Sequence, residues 1–467
     1  MHDMLRKLLW TLSEKSLGRL WLFFFMYATF MALFVQFILL PYILPQWHAG
    51  DGLLASYFDS ITAHKIADSL AERIHHEGWS VWELRPRMQG QAGIAAAIYA
   101  LTIPKPWVLI PLLAVLCATA TFTLFLAINS LVSDQRVSLL AVFPFFLYPS
   151  ALSWYTQLLK DGYLIAGVSM MVYGWVVIGH DKLSKQRGKG VLIAIALIVS
   201  GTAAVWIVRP YMVKIMYLAS FVISLLLTVV TIARYSRRQI DRSALLTVVT
   251  VIWVALFAMT PFKSNESSIS EHSEHIYEQI GTTQPMKHGE SPPETSHSME
   301  SVSRLTAWIN ARFIPIIQAR KGFQNIPNAI AASNIDSDIK LETTMDVMLY
   351  LPRAVQLAFL APFPVHWFGE GSMEANTMMR RVTAFEMLGV YFAMFFFPYA
   401  VWHWRKNVEL WIILIFCVPP LLIQGIVVVN IGTLYRMRYG FIMTLVAIGL
   451  AGFITLFRQW KHGRERA

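Results

Sequence analysis

Apolar stretches of about 20 residues recur along this chain, the length a helix needs to cross the hydrocarbon core of a bilayer. A chain written this way folds as a polytopic all-α membrane protein. Charge use agrees: 14% of the residues are charged, against about 25% in a soluble domain. The net charge of +11 comes from 39 Lys and Arg against 28 Asp and Glu. Most of the excess sits in short loops, so it sets topology and does not point to nucleic acid. Cys117 and Cys417 both fall inside apolar stretches, which excludes a disulfide framework and a CxxC metal site.

The pattern predicts about ten spans. Residues 1–19 carry Arg6, Lys7, Lys15 and Arg19, which predicts a cytoplasmic N-terminus. The first span is about Leu20 to Ile43, with no cleavage signal after it, so it is expected to be retained. A polar loop, 46–106, follows. The next spans are about Trp107–Leu131, Val137–Tyr155, a fourth ending near Gly179, Val191–Val208, a sixth ending at the basic ARYSRRQIDR, and Ala244–Met259. These make an N-terminal module, 1–260. The segment 261–383 is the one large outer loop. It reads as flexible to about Ser303 and helical again from Leu305 to Ile339. Its stretch 346–368 is apolar but holds Arg353 and three prolines, and is expected to be re-entrant or interfacial. If it does not span, the basic tail RQWKHGRERA lies inside with the N-terminus. The last spans are about Ala384–Trp402, Leu410–Val429 and Phe441–Leu456, within a C-terminal module 384–467.

On this topology several polar islands share the outer face. The largest is DGLLASYFDSITAHKIADSLAERIHHEGWSVWELRPRMQGQ, Asp51 to Gln91, whose apolar residues recur at amphipathic helical spacing. The others are Lys160-Asp161, Arg209-Pro210 and Arg436 with Arg438 in NIGTLYRMRYG. Charges at membrane boundaries are costly and usually functional. A carboxylate can deprotonate a hydroxyl nucleophile. Arginines can hold a phosphate leaving group by bidentate contacts.

The GDxxxxxYFDSxxxHxxAxxLAxxI pattern, with Arg85-Pro86 after it, resembles the first outer loop of the GT-C superfamily. These are integral-membrane glycosyltransferases that use polyprenyl-phosphate-linked sugars; protein O-mannosyltransferases and lipid A aminoarabinose transferases are members. PSALSWYTQLLKDG resembles that superfamily's third span, which ends at an acidic residue, here Asp161. The segments LPRAVQLAFLAPFPVHWF and NIGTLYRMRYG resemble membrane proteins of bacterial exopolysaccharide and O-antigen clusters. The resemblance implies a bacterial inner-membrane enzyme with its active site on the periplasmic side. Its partners would be a polyprenyl-phosphate-sugar donor, a glycan, lipid or protein acceptor, and the lipid bilayer. It puts the catalytic acid at Asp59. Many relatives have a second acid where this chain has Ser60, so a divalent metal is left open and none is required. It makes Asp161, with Lys160, a donor- or acceptor-orienting position, and Arg85, Arg209, Arg436 and Arg438 candidate phosphate ligands.

Plainer readings stand beside these. Asp51 is the rival acid, though Gly50-Asp51-Gly52 is also a turn sequence. His64 is a candidate cleft residue, but five residues from Asp59 is about 140° around a helix, so the two would not face one another. Lys160-Asp161 reads equally as a boundary ion pair, and the arginines could snorkel to headgroups. His75-His76 and His272/His275 match no strong metal-site spacing. Two other functions share these features: a polysaccharide polymerase of O-antigen type, and a flippase or transporter of lipid-linked glycans.

Overall fold

The structure is a computed structural model that describes residues 17–180, 189–260, 300–325, 333–371 and 374–464. Among them the chain is helical apart from turns, loops and two isolated β-bridges, His48 with Leu54 and Asn334 with Asn430. Among the described residues eight helices are long and apolar enough to cross a membrane. They are α1 (Leu17–Phe34, continued as a π-helix through Val35–Ile43), α4 (Ile110–Val132), α7 (Lys160–Gly179), α8 (Lys189–Val208), α9 (Pro210–Ser236), α13 (Glu374–Trp404), α14 (Val408–Val427) and α15 (Ile431–Arg464). A ninth crossing is a broken one, α5 (Gln135–Leu147) and α6 (Pro149–Tyr155), bent by 66°. The bend has a local cause: Pro149 offers no N–H to the preceding turn and forces Tyr148 into an extended conformation at ψ 128. The expected seventh span is α10 (Arg242–Ala258), whose 17 residues are short of the others. The chain is thus an all-α polytopic membrane protein; its described residues supply eight long spans, the broken one and the shorter α10, against about ten expected.

The sequence of α1 shows how these helices take their places. Leu20, Phe24, Ala28 and Ala32 recur every four residues and are buried, while Leu22, Met26 and Phe30 point outward and are exposed. An apolar outward face suits lipid. At the other extreme, α7 is buried along nearly its whole length, so it is the centre of the bundle. It meets α8 through small residues: a Cβ added at Gly167 would lie 2.6 Å from the Gly201 carbonyl oxygen. Such close backbone approach is how membrane helices gain dispersion energy where lipid offers no hydrophobic drive.

Hydrogen bonds and ion pairs identify the two ends of the bundle. Arg458 pairs with Asp134 at 2.7 Å, His180 Nδ1 lies 2.6 Å from Glu409, and Asn407 donates to the Leu131 carbonyl. These contacts gather the ends of α4, α7 and α15 and the start of α14. This is also the end that carries Arg234, Arg237, Arg238, Arg242, Arg405 and Lys406. At the opposite end α7, α9 and α15 begin and α8 finishes. There α2 (Phe58–Glu77) and α3 (Gly90–Leu101) of the first polar loop pack against the bundle.

Of the large hydrophilic segment, 261–299 lies outside the described residues, and His272 and His275 with it. The remainder gives α11 (Glu300–Gln324) and α12 (Thr344–Leu360). A capping box starts α12: the Thr343 hydroxyl accepts from the Asp346 N–H, and the Asp346 carboxylate accepts in return from the Thr343 N–H. It buries Val347, Tyr350, Ala354 and Leu357 and leaves Met345, Met348 and Leu349 exposed. Gly425 of α14 lets the Ala354 carbonyl approach; any Cβ there would collide with it. The helix of the segment 346–368, α12, has 17 residues and is not among the helices long and apolar enough to span.

Candidate functional site

Three helices of the bundle and α2 start within reach of one another, and each brings a charge. Asp59 is in the first turn of α2 and Asp161 in the first turn of α7. Arg209 is the residue before α9, held there by Pro210 at the first helical position. Arg436 is in the second turn of α15. Helix N-termini carry about half a positive charge each and stabilise nearby carboxylates.

Asp161 is fully buried. Arg209 Nη2 reaches its Oδ1 at 3.0 Å and Arg436 Nη2 its Oδ2 at 3.1 Å. The same Arg436 nitrogen lies 2.9 Å from Asp59 Oδ2. Arg436 therefore bridges a buried carboxylate and one whose side chain is 63% exposed. Lys160 Nζ points toward the Met88 carbonyl at 3.5 Å, and the Arg85 guanidinium lies over the Trp206 ring at 5.4 Å. Burial works to raise the Asp59 carboxyl, but the Arg436 guanidinium outweighs it, by charge and by hydrogen bond, with smaller help from Lys160 and Arg209. The net result lies below the ordinary carboxylate range, so Asp59 is ionised at neutral pH.

Asp59 and Arg436 open onto a cavity of about 410 Å³. Its other walls come from residues distant in sequence: Trp154 of α6, Asn334, His366, Arg380 of α13, and Asn430 at the start of α15. Asn430 fixes this start. Its Oδ1 accepts from the Thr433 N–H at 2.9 Å, and its amide donates to Ser333 Oγ at 3.2 Å. On the α6 side, Tyr57 hydroxyl lies 2.9 Å from Ser153 Oγ and accepts from Trp154 Nε1 at 3.1 Å.

Five of the expected residues thus come together: Asp59, Lys160, Asp161, Arg209 and Arg436. Arg85 stands beside Lys160 across the Met88 loop. The other three go elsewhere. Asp51 is the turn residue, at φ 51 between two glycines of positive φ, and pairs with Lys105 at 2.8 Å. His64 faces Tyr99 of α3, 3.1 Å from its hydroxyl. Burial pulls its imidazole down, only partly opposed by Asp68 and Asp51, so it is neutral at pH 7. Arg438 is two residues beyond Arg436, about 200° around the helix, and so faces away from it. It is fully buried and donates to the Leu357, Ala358 and Ala361 carbonyls at the end of α12. That makes it a cap of α12, not a phosphate ligand. Replacing it with Met is expected to cost about 2–3 kcal/mol, since charge-assisted hydrogen bonds to the carbonyls at the end of α12 are lost. A melting curve in detergent checks this.

Glu386 was not among the expected residues. It is buried in α13 and accepts from the Ser150 N–H at 2.8 Å and from the Tyr435 hydroxyl at 2.5 Å. An acid inside the apolar run 384–402 was a readable signal, because such residues are rarely tolerated without a role. Asn334, His366, Arg380 and Asn430 carried no such signal; they reach the cavity only through tertiary packing. Among the described residues no group of three or more His, Cys, Asp or Glu side chains is placed to hold a metal ion. No protein-family model, curated protein or solved structure matches this chain.

Proposed function

We propose that this chain is a membrane glycosyltransferase, moving a sugar from a polyprenyl-phosphate-linked donor to an acceptor hydroxyl in cell-surface glycan assembly. The observation that carries the reading is the ionised, exposed Asp59 at the mouth of a cavity, bridged through Arg436 to a buried Asp161–Arg209 pair. The arginine-rich turns lie at the opposite end of the bundle. By the positive-inside bias, that supports an inner-membrane protein with both termini cytoplasmic and the cavity facing the periplasm.

In this mechanism the Asp59 carboxylate takes the proton from the acceptor hydroxyl. The acceptor oxygen attacks the anomeric carbon, and the bond from that carbon to the phosphate oxygen breaks. The electron pair leaves with the lipid phosphate, whose growing charge meets Arg436, Arg209 and Lys160 at the start of three helices. Direct displacement of this kind inverts the anomeric centre. Arg436 has a second effect. While it pairs with Asp59 the carboxylate is a weak base. A donor phosphate that draws Arg436 away leaves Asp59 more basic when the acceptor needs it.

The pH dependence tests this. The acid limb of kcat/KM reports the free enzyme's essential base. With Asp59 held low, activity should persist until pH falls through that lowered value. Removing the cation in Arg436→Gln raises the carboxyl, so the acid limb should move to higher pH, beyond any fall in rate. An acid limb unmoved in Arg436→Gln would show that Asp59 is not the titrating base. The assay uses membranes and a labelled lipid-linked donor. A product that lengthens in repeat units on a lipid-linked acceptor would assign the same site to a polymerase.

A further inference from the structure

At the arginine-rich end of the bundle, far from Asp59, a second cavity of about 250 Å³ opens where α7 and α9 end and α10 begins. One side of it is apolar, with Leu227 and Val230 on α9 and Val248 and Ile252 on α10, and Thr231 and His180 add polar groups. Arg234 and Gln239 close its polar side. The turn beside it, 234–242, holds Arg234, Arg237, Arg238 and Arg242 against Asp241 alone, a net of three positive charges. The C-termini of α7 and α9 contribute about half a negative charge each. The arginines outweigh both, and also Glu409, which lies 2.6 Å from the lining His180, so the cavity's polar side is cationic.

We propose that this cavity is a binding site for an acidic phospholipid, with the headgroup phosphate at Arg234 and an acyl chain against the α9–α10 walls. Two observations select a lipid over a soluble anion. Beside the polar Thr231, His180 and Gln239, the cavity presents the aliphatic Leu227, Val230, Val248 and Ile252, a surface an acyl chain can cover and a soluble phosphate cannot use. The outward faces of the same helices, including Leu225, Val229, Ile232 and Leu246, are apolar and exposed, so the cavity adjoins the surface that meets the bilayer. Basic pockets between helices are a recurrent way of selecting anionic headgroups. The inference does not rest on the glycosyltransferase reading, since none of these residues belongs to that site.

The test is lipid retention by the full chain. The protein is reconstituted in nanodiscs of phosphatidylglycerol and phosphatidylcholine mixed equally, extracted gently, and weighed by native mass spectrometry. Phosphatidylglycerol should be retained at least about fivefold over phosphatidylcholine, and should raise the melting temperature in detergent where phosphatidylcholine does not. Arg234→Gln should lower phosphatidylglycerol retention about fivefold and leave phosphatidylcholine unchanged. Val248→Trp fills the cavity without touching a charge and should have the same effect, which keeps the test informative should Arg234→Gln fold poorly. Equal retention of the two lipids overturns the proposal. So does stabilisation by inorganic phosphate alone to the same extent, which would make this a soluble-anion site. Undiminished retention by either folded variant overturns it as well.

Discussion

Asp59→Asn should abolish glycan formation in a strain lacking the native gene, with the lipid-linked donor accumulating in its membranes. The amide keeps the shape of the carboxylate and removes its ability to take a proton. Loss of a general base typically costs 10²- to 10⁴-fold in rate, and about 10³-fold is expected here. Stability should hardly change. Asp59 is 63% exposed, and exposed ion pairs contribute about 0–1 kcal/mol. Protein level in the membrane and melting temperature should therefore match the wild type while the product disappears. A well-folded Asp59→Asn that makes normal glycan would remove the catalytic assignment and shift weight to a polymerase or transport reading built on the arginines alone.

Asp161→Asn should fail in the opposite way, by losing fold before chemistry. Asp161 is fully buried and faces Arg209 and Arg436 from its two oxygens. Without its charge, two guanidiniums confront one another with only the exposed Asp59 between them and water. Removing one partner of a buried pair costs about 3–5 kcal/mol. That is a large part of the stability of a typical domain. The expected result is little folded protein in the membrane and a sharply lowered melting point. Asp161→Leu combined with Arg209→Met replaces the pair by apolar groups of similar size and should restore much of the lost stability. The double variant would still be inactive, having lost a phosphate ligand. If Asp161→Asn melts like the wild type, the network is not structural, and its arginines are already neutralised by something else.

The two carboxylates show how far the sequence could be read. Asp59 lies within the first polar loop and is singled out by the resemblance carried by the YFDS pattern. Asp161 stands out because it is an acid at the edge of a long apolar run, where charge is expensive. Arg209 and Arg436 stand out for the same reason. That they share one end follows from counting spans, and the structure brings all four together. Arg438 passed the same test and went elsewhere, because residues two apart on a helix point to opposite sides. Sequence position alone does not say which side meets α12. Asp51 is the rival acid to Asp59; the left-handed turn between Gly50 and Gly52, tied to Lys105, keeps Asp51 out of the cavity lining. Glu386 shows the reverse, a readable signal hidden by the length of the apolar run around it.

The sequence by itself determined the all-α membrane architecture, because apolar length and helical periodicity are local properties that no tertiary contact can override. It also determined which charges stand at membrane boundaries. Only the tertiary structure decided which of those charges meet. Asp59 and Arg436 are 377 residues apart, yet they lie 2.9 Å from each other. Such contacts depend on helix rotation and on close approaches such as Gly167 to Gly201, which are set by packing over the whole bundle and leave no periodic trace in the chain.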